Sequence, residues 1–262
     1  MALPEYSRVI YQKNPLAEVI CQVRFPALLA LESERPTAFW NRIRHQFPTM
    51  EVKESPVGIP VPLPPVSLPP DFANWLRNMK AYDFVSEDDL WTVSLSKDFL
   101  ALTCRYYERW EGFKQRLLPA LDAVQEIYQP PACQRIGLRY VDVIQPSSLG
   151  LMGTPWAELL SPPLVGELAS SDIGADIEHV AREVVFRLND GRESRVHMRH
   201  GLARLDGVDD LCYLIDSDFF TDQQMEWHDA SRTLDEYNRY AGRLFRWCIS
   251  DRLHAAMEPV GI

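Results

Sequence analysis

The stretch Leu90-Trp91-Thr92-Val93-Ser94-Leu95-Ser96-Lys97-Asp98-Phe99-Leu100-Ala101-Leu102-Thr103-Cys104-Arg105-Tyr106-Tyr107 reads as a β-hairpin. Two runs, Leu90 to Leu95 and Phe99 to Tyr107, alternate at period two around the short polar turn Ser96-Lys97-Asp98. Trp91, Val93 and Leu95 share one face of the first run, and Leu100, Leu102, Cys104 and Tyr106 share one face of the second. Upstream, Val19 to Phe25 alternates in the same way, with Cys21, Val23 and Phe25 opposed to Gln22 and Arg24, and Pro26 ends it. Between these strands, Phe39, Ile43 and Phe47 recur four apart, which predicts an amphipathic helix over Ala38 to Phe47 stopped by Pro48.

Downstream, Phe113, Leu117, Leu121, Val124 and Tyr128 predict a helix from Glu111 to Tyr128, with a kink at Pro119 and a stop at Pro130-Pro131. Arg135 to Ile144 reads as a further strand. The order β-α-β-β-α-β is that of the ferredoxin-like α+β unit, two helices on one face of a four-stranded antiparallel sheet, and it accounts for residues 1–147. Seven prolines within residues 56–70 predict an extended strap lying over its own unit, with docking into a partner's groove as the alternative.

Residues 148–262 predict a second, related β-β-β-α unit. Short helical pieces are expected at Trp156 to Leu160 and Leu164 to Leu168. A hairpin follows, His179 to Leu188 and Ser194 to Arg204 about Asn189-Asp190-Gly191, then a strand at Leu211 to Asp216. A long helix from Leu234 to Met257 closes the chain, with Tyr237, Ala241, Leu244, Cys248 and Leu253 on one face.

At 262 residues, 46% hydrophobic and 24% charged, the chain has the composition of a folded globular protein. The net charge of −10 argues against bulk coating of nucleic acid. Its distribution is uneven: 16 basic residues face 17 acidic ones in 1–147, but 11 face 20 in 148–262. The five cysteines are scattered, which fits neither a disulfide framework nor a zinc ribbon and points to a reducing, cytoplasmic setting. No apolar run reaches a membrane span, and no glycine-rich phosphate loop, nucleophile elbow or His-Glu-x-x-His helix occurs. No cofactor is expected.

If the ferredoxin-like order holds, the sheet face away from the helices gathers Arg24, Arg105, Tyr107, Arg135 and Arg139. Such a face suits an acidic partner or a single nucleic-acid strand, unless carboxylates of the acidic second part pair with it. His197 and Arg199 share one face of their strand and could clamp an anion, while His200 belongs to the apolar face with Met198 and Leu202. Asp216 and Asp218 offer hard oxygen ligands at a two-residue step, without a third of convincing spacing.

Asn14-Pro15-Leu16-Ala17-Glu18-Val19, the segment Gly137-Leu138-Arg139-Tyr140, Leu214-Ile215-Asp216-Ser217-Asp218 and the last helix with Phe245 and Ile249 resemble a sporadically distributed, uncharacterised bacterial family of about 250 residues. Asp142 stands where that family carries an Asn. The resemblance implies no activity, and its patchy distribution implies an antiviral-defence or toxin-antitoxin-like setting. The leading expectation is therefore a non-catalytic protein-interaction or accessory factor with a protein partner. A nucleic-acid-binding module using the arginine face and an anion-processing enzyme at His197 and Arg199 are the alternatives.

Overall fold

The computed structural model describes residues 3–53, 81–205 and 210–261. In chain order the first half contains β1 (Val9–Tyr11), β2 (Leu16–Arg24), α1 (Ala30–Ser33), α2 (Thr37–Ile43), β3 (Thr49–Lys53), β4 (Ala81–Val85), β5 (Trp91–Ser96), β6 (Phe99–Cys104), α3 (Trp110–Tyr128) and β7 (Arg135–Ile144). The second half contains α4 (Trp156–Leu159), α5 (Pro162–Val165), β8 (Ala181–Arg187), β9 (Arg195–Arg204), β10 (Leu211–Thr221), α6 (Trp227–Cys248), α7 (Asp251–Ala256) and β11 (Pro259–Gly261). The proline-rich stretch 56–70 lies outside the described residues.

The architecture is mixed α+β around a large antiparallel sheet of nine strands, ordered β3-β4-β5-β6-β2-β7-β10-β9-β8. Strands from both sides of residue 147 share it, because β7 pairs with β2 on one edge and β10 on the other. The expected second sheet-and-helix unit is thus built onto the first sheet, not beside it. β1 and β11 form a separate two-stranded ribbon that joins the two ends of the fold.

Period-two alternation decides which residues meet the helices. Val19, Cys21 and Val23 of β2, Leu100 and Leu102 of β6, Ile136 and Leu138 of β7, and Ile215 and Phe219 of β10 join one core with Phe113, Leu117 and Val124 of α3 and Leu234, Tyr237 and Leu244 of α6. α3 runs unbroken through Pro119. Gln129, with φ of 49°, ends it in the left-handed conformation ahead of Pro130.

Several elements depart from the sequence expectation. The helix expected to Phe47 ends at Ile43, although Phe39, Ile43 and Phe47 are all buried as the spacing required. β6 ends at Cys104, not Tyr107. β10 continues to Thr221 instead of stopping at Asp216. The single closing helix is two: it begins at Trp227, breaks at extended Ile249, and resumes where Ser250 caps α7 by accepting a bond from Leu253 N at 3.1 Å. Strands β1, β3, β4 and β11 had no counterpart in the sequence reading.

Candidate functional site

Two polar regions stand on opposite sides of the sheet. On the face away from the helices, pairing register lines up Glu18 of β2, Val141 of β7, Asp216 of β10 and Arg199 of β9 in one transverse row. The next row brings Ile20, Arg139, Asp218 and His197 together. Arg139 reaches diagonally between rows, its Nε donating to Asp216 Oδ1 at 2.7 Å and its Nη2 to Oδ2 at 2.8 Å. Arg199 Nη2 donates to the same Oδ2. Burial alone would push the Asp216 carboxyl up, but Arg139 and then Arg199 outweigh it and hold the carboxyl below its ordinary range.

Arg135 occupies the end of this face. Its Nη2 donates to Asp218 at 2.9 Å and its Nη1 to Gln22 Oε1 at 3.1 Å, and its guanidinium lies 4.9 Å from the centroid of Phe220. The side chain crosses Gly137, where a Cβ would meet Nη1 at 2.7 Å.

Arg24, Arg135 and Arg139 therefore share the predicted face, but they pair within the molecule: Arg24 Nη2 lies 3.5 Å from Asp98. Arg105 follows the end of β6 and is exposed. Tyr107 is a correction: because β6 stops and the chain bends at 105–106, the alternation does not carry through, and Tyr107 lies on the helix side. His197 abuts Glu183, and His200 is a neutral core residue whose Nδ1 meets Tyr213 Oη at 2.7 Å. Burial, with Arg182 adding, lowers the His200 pKa to about 4. Asp216 and Asp218, the pair with hard-metal oxygens, have arginine partners instead. Among the described residues no group of three or more His, Cys, Asp or Glu could hold a metal ion.

On the helix side lies a cavity of about 290 Å³, walled by β1, the 107–110 segment and α6, and floored by β7. The two-residue step of β7 places Tyr140 and Asp142 on this floor. Asn238 of α6 donates to Tyr140 Oη at 2.8 Å and to Tyr107 Oη at 3.3 Å, fixing both phenols. Burial raises Tyr107 to about 12 and raises Tyr140 as well, so both phenols stay neutral. Asn14 secures the wall by donating to Tyr107 O at 2.9 Å, while its Oδ1 accepts from Leu16 N.

Asp142 is 5% exposed and has no hydrogen-bond or ion-pair partner among the described residues. Burial, with Asp216 adding repulsion, pushes its carboxyl well above the ordinary range. Around the mouth, Arg8 pairs with Glu111, Arg243 with Glu5 and Arg246 with Asp251. Arg109 and Arg239 are exposed lining residues without an ion-pair partner among the described residues. Gly242 lines the cavity as well, and a Cβ there would meet nothing within 4 Å.

The sequence reading missed Asp142, Tyr140 and Asn238 as a group. One signal was present: Asp142 has the same parity as Ile136, Leu138 and Ile144, so a carboxyl was due on the apolar face.

No family model, no curated protein and no solved structure matches this chain.

Proposed function

We propose that this chain is a non-catalytic binding protein, an accessory factor that takes up a small polar ligand in the cavity under α6 and acts through a protein partner. One observation carries the reading: Asp142 lies at the floor of a cavity of about 290 Å³ with no hydrogen-bond partner among the described residues. A carboxyl that lines a cavity without a protein partner is open to hydrogen bonds from a bound ligand. The cysteines favour binding over nucleophilic chemistry, since all five are buried and burial pushes Cys104 and Cys133 up to about 12.

The test is native mass spectrometry of the protein purified from its host. A bound small molecule that is present with the natural chain and lost with Gly242→Leu, which fills the cavity, supports the reading. Absence of any Gly242-dependent molecule overturns it.

A protein contact is favoured separately by β8, the last strand of the described sheet. Only β9 pairs with it among the described residues, and Val185 is 57% exposed. An outer strand of this kind can accept an extended segment of another chain by backbone pairing. Proteins retained from host lysate by the natural chain but not by Val185→Lys, at unchanged thermal midpoint, support this contact, and equal retention removes it. The arginine-face reading for nucleic acid loses ground because Arg135 and Arg139 already hold carboxylates, and the anion-processing reading because Arg199 holds Asp216.

The run β5-β6-β2-β7, antiparallel throughout, supports a ferredoxin-like kernel extended by strands on both edges. The antiviral-defence setting rests on the bacterial family resemblance and predicts a partner encoded nearby.

A further inference from the structure

The outer edge of the sheet narrows the kind of protein partner, on the reading that β8 takes up an extended strand. We propose that this strand is β8 of a second copy of the chain, paired antiparallel about a twofold axis at Val185.

The backbone supports this first. β8 runs for seven residues against β9 without a register shift and contains no proline. Just beyond its two ends, Leu202 N donates to Val180 O at 3.0 Å and Leu188 N donates to Ser194 O at 2.8 Å. Alternation then turns the even-numbered amides and carbonyls of β8 toward β9, and those of Ala181, Glu183, Val185 and Arg187 outward. Such a row at a two-residue step is what an antiparallel neighbour pairs with. A bulge, a proline or a central charge usually blunts an edge of this kind, and Val184-Val185-Phe186 has none of them.

Side chains choose the register. An axis through Val185 sets Val185 against Val185, Glu183 against Arg187 at both ends, and Val184 against Phe186 on the other face. Every facing pair across 183–187 is then apolar with apolar or acid with base. An axis at Val184 would set Glu183 against Val185 and Arg182 against Phe186, and an axis at Phe186 would set Arg187 against Val185. An axis at Glu183 would bring two carboxylates together. The axis stands perpendicular to the sheet, so the helices of both copies lie on one side of the joined sheet.

The surroundings agree with that register. Glu183, Val185 and Arg187 lie on the face away from the helices, in register with Arg199, His197 and Arg195 of β9. Val185 is 57% exposed and Val184 38%. Glu183 abuts His197 through Oε1, yet its side chain remains 60% exposed. Arg187 stands across from Arg195, a like charge, which a carboxylate on its outer side offsets.

The experiment is sedimentation equilibrium of the full chain at up to about 100 μM. The natural chain should reach twice the mass of one copy. Val185→Lys sets two ammonium groups together at the axis, and Glu183→Arg or Arg187→Glu creates two like-charge pairs. Each should weaken self-association about ten-fold or more. An equal mixture of the Glu183→Arg and Arg187→Glu chains should recover the dimer, because each copy then supplies the charge the other lacks. Val52→Lys, at an exposed position of β3 on the opposite edge, should leave the dimer unchanged. A monomeric natural chain, full self-association in Val185→Lys, no recovery in the mixture, or loss of the dimer in Val52→Lys overturns the assignment. Circular dichroism checks that each variant is folded, and Val185→Lys decides where a charge reversal fails that check. If the chain is monomeric but host lysate yields proteins that Val185→Lys no longer retains, only the second copy falls. If no such protein is retained either, the β8 contact falls as well.

Discussion

Asp142 and Asp216 sit on neighbouring strands, one register step apart, on opposite faces of the same sheet. Both are almost wholly buried, at 5% and 2% exposure. Yet two arginines lower the Asp216 pKa, whereas Asp142 has no partner among the described residues and burial raises its pKa. The lesson is that depth does not set the pKa of a buried carboxyl; the partners do. One carboxyl became part of the frame, and the other was left available.

The strongest way to break this contrast is to remove the partner on the frame side. Arg139→Ala leaves Asp216 buried with only Arg199 and should destabilise the fold by about 3–5 kcal/mol in urea unfolding. A loss below about 1 kcal/mol would mean that Arg139 and Asp216 do not hold the face together. Ser94→Ala probes a milder case on the same face. It removes the 2.6 Å bond that Ser94 donates to the buried Asp83 and should cost about 1–3 kcal/mol by the same measurement.

On the cavity side the expected effect is a slope. Asp142 has a raised folded-state pKa, so the folded chain holds a proton that the unfolded chain releases, and stability declines as pH rises above the ordinary carboxylate range. Asp216 has the opposite sign: its stabilisation is present above that range and is lost as pH falls through its lowered folded-state pKa. Unfolding curves for Asp142→Asn between pH 5 and 8 should therefore be flatter than those of the natural chain. Parallel curves would show that Asp142 is ionised in the fold. The smallest effect is expected at Gly242, where alanine meets no neighbour and improves the helix: Gly242→Ala should raise stability by about 0.5–1 kcal/mol. A loss instead would mean that the helix needs the space.

Alternation made the centre of this fold readable. Cys21, Val23, Leu100 and Leu102 were placed against the helices by parity alone, and they are there. Parity fails where a strand ends, and that is why Tyr107 was assigned to the wrong face: two bent residues after Cys104 reset the count. The end of β10 was misplaced for a related reason. An aspartate commonly closes a strand, but Asp216 and Asp218 have arginines on the adjoining strand, which no local window contains. Ser250 caps α7, but the apolar stripe of Leu244, Cys248 and Leu253 runs past it and reads as one continuous helix. β1 and β11 are three residues each and exist as strands only because each end of the fold finds the other. The cavity was illegible as a whole, since its floor, wall and roof come from β7, the 107–110 segment and α6.

The strand order also dictates a timetable for synthesis. β2 is complete once Arg24 has been made, but its two neighbours, β6 and β7, are complete only at Cys104 and Ile144. β7 in turn waits for β10, which ends at Thr221. A nascent chain on the ribosome therefore carries unpaired apolar strands until most of its length has emerged. Ribosome-bound fragments ending before Thr221 should be protease-sensitive across β7 and depend on chaperones for solubility, with protection appearing abruptly once β10 can dock.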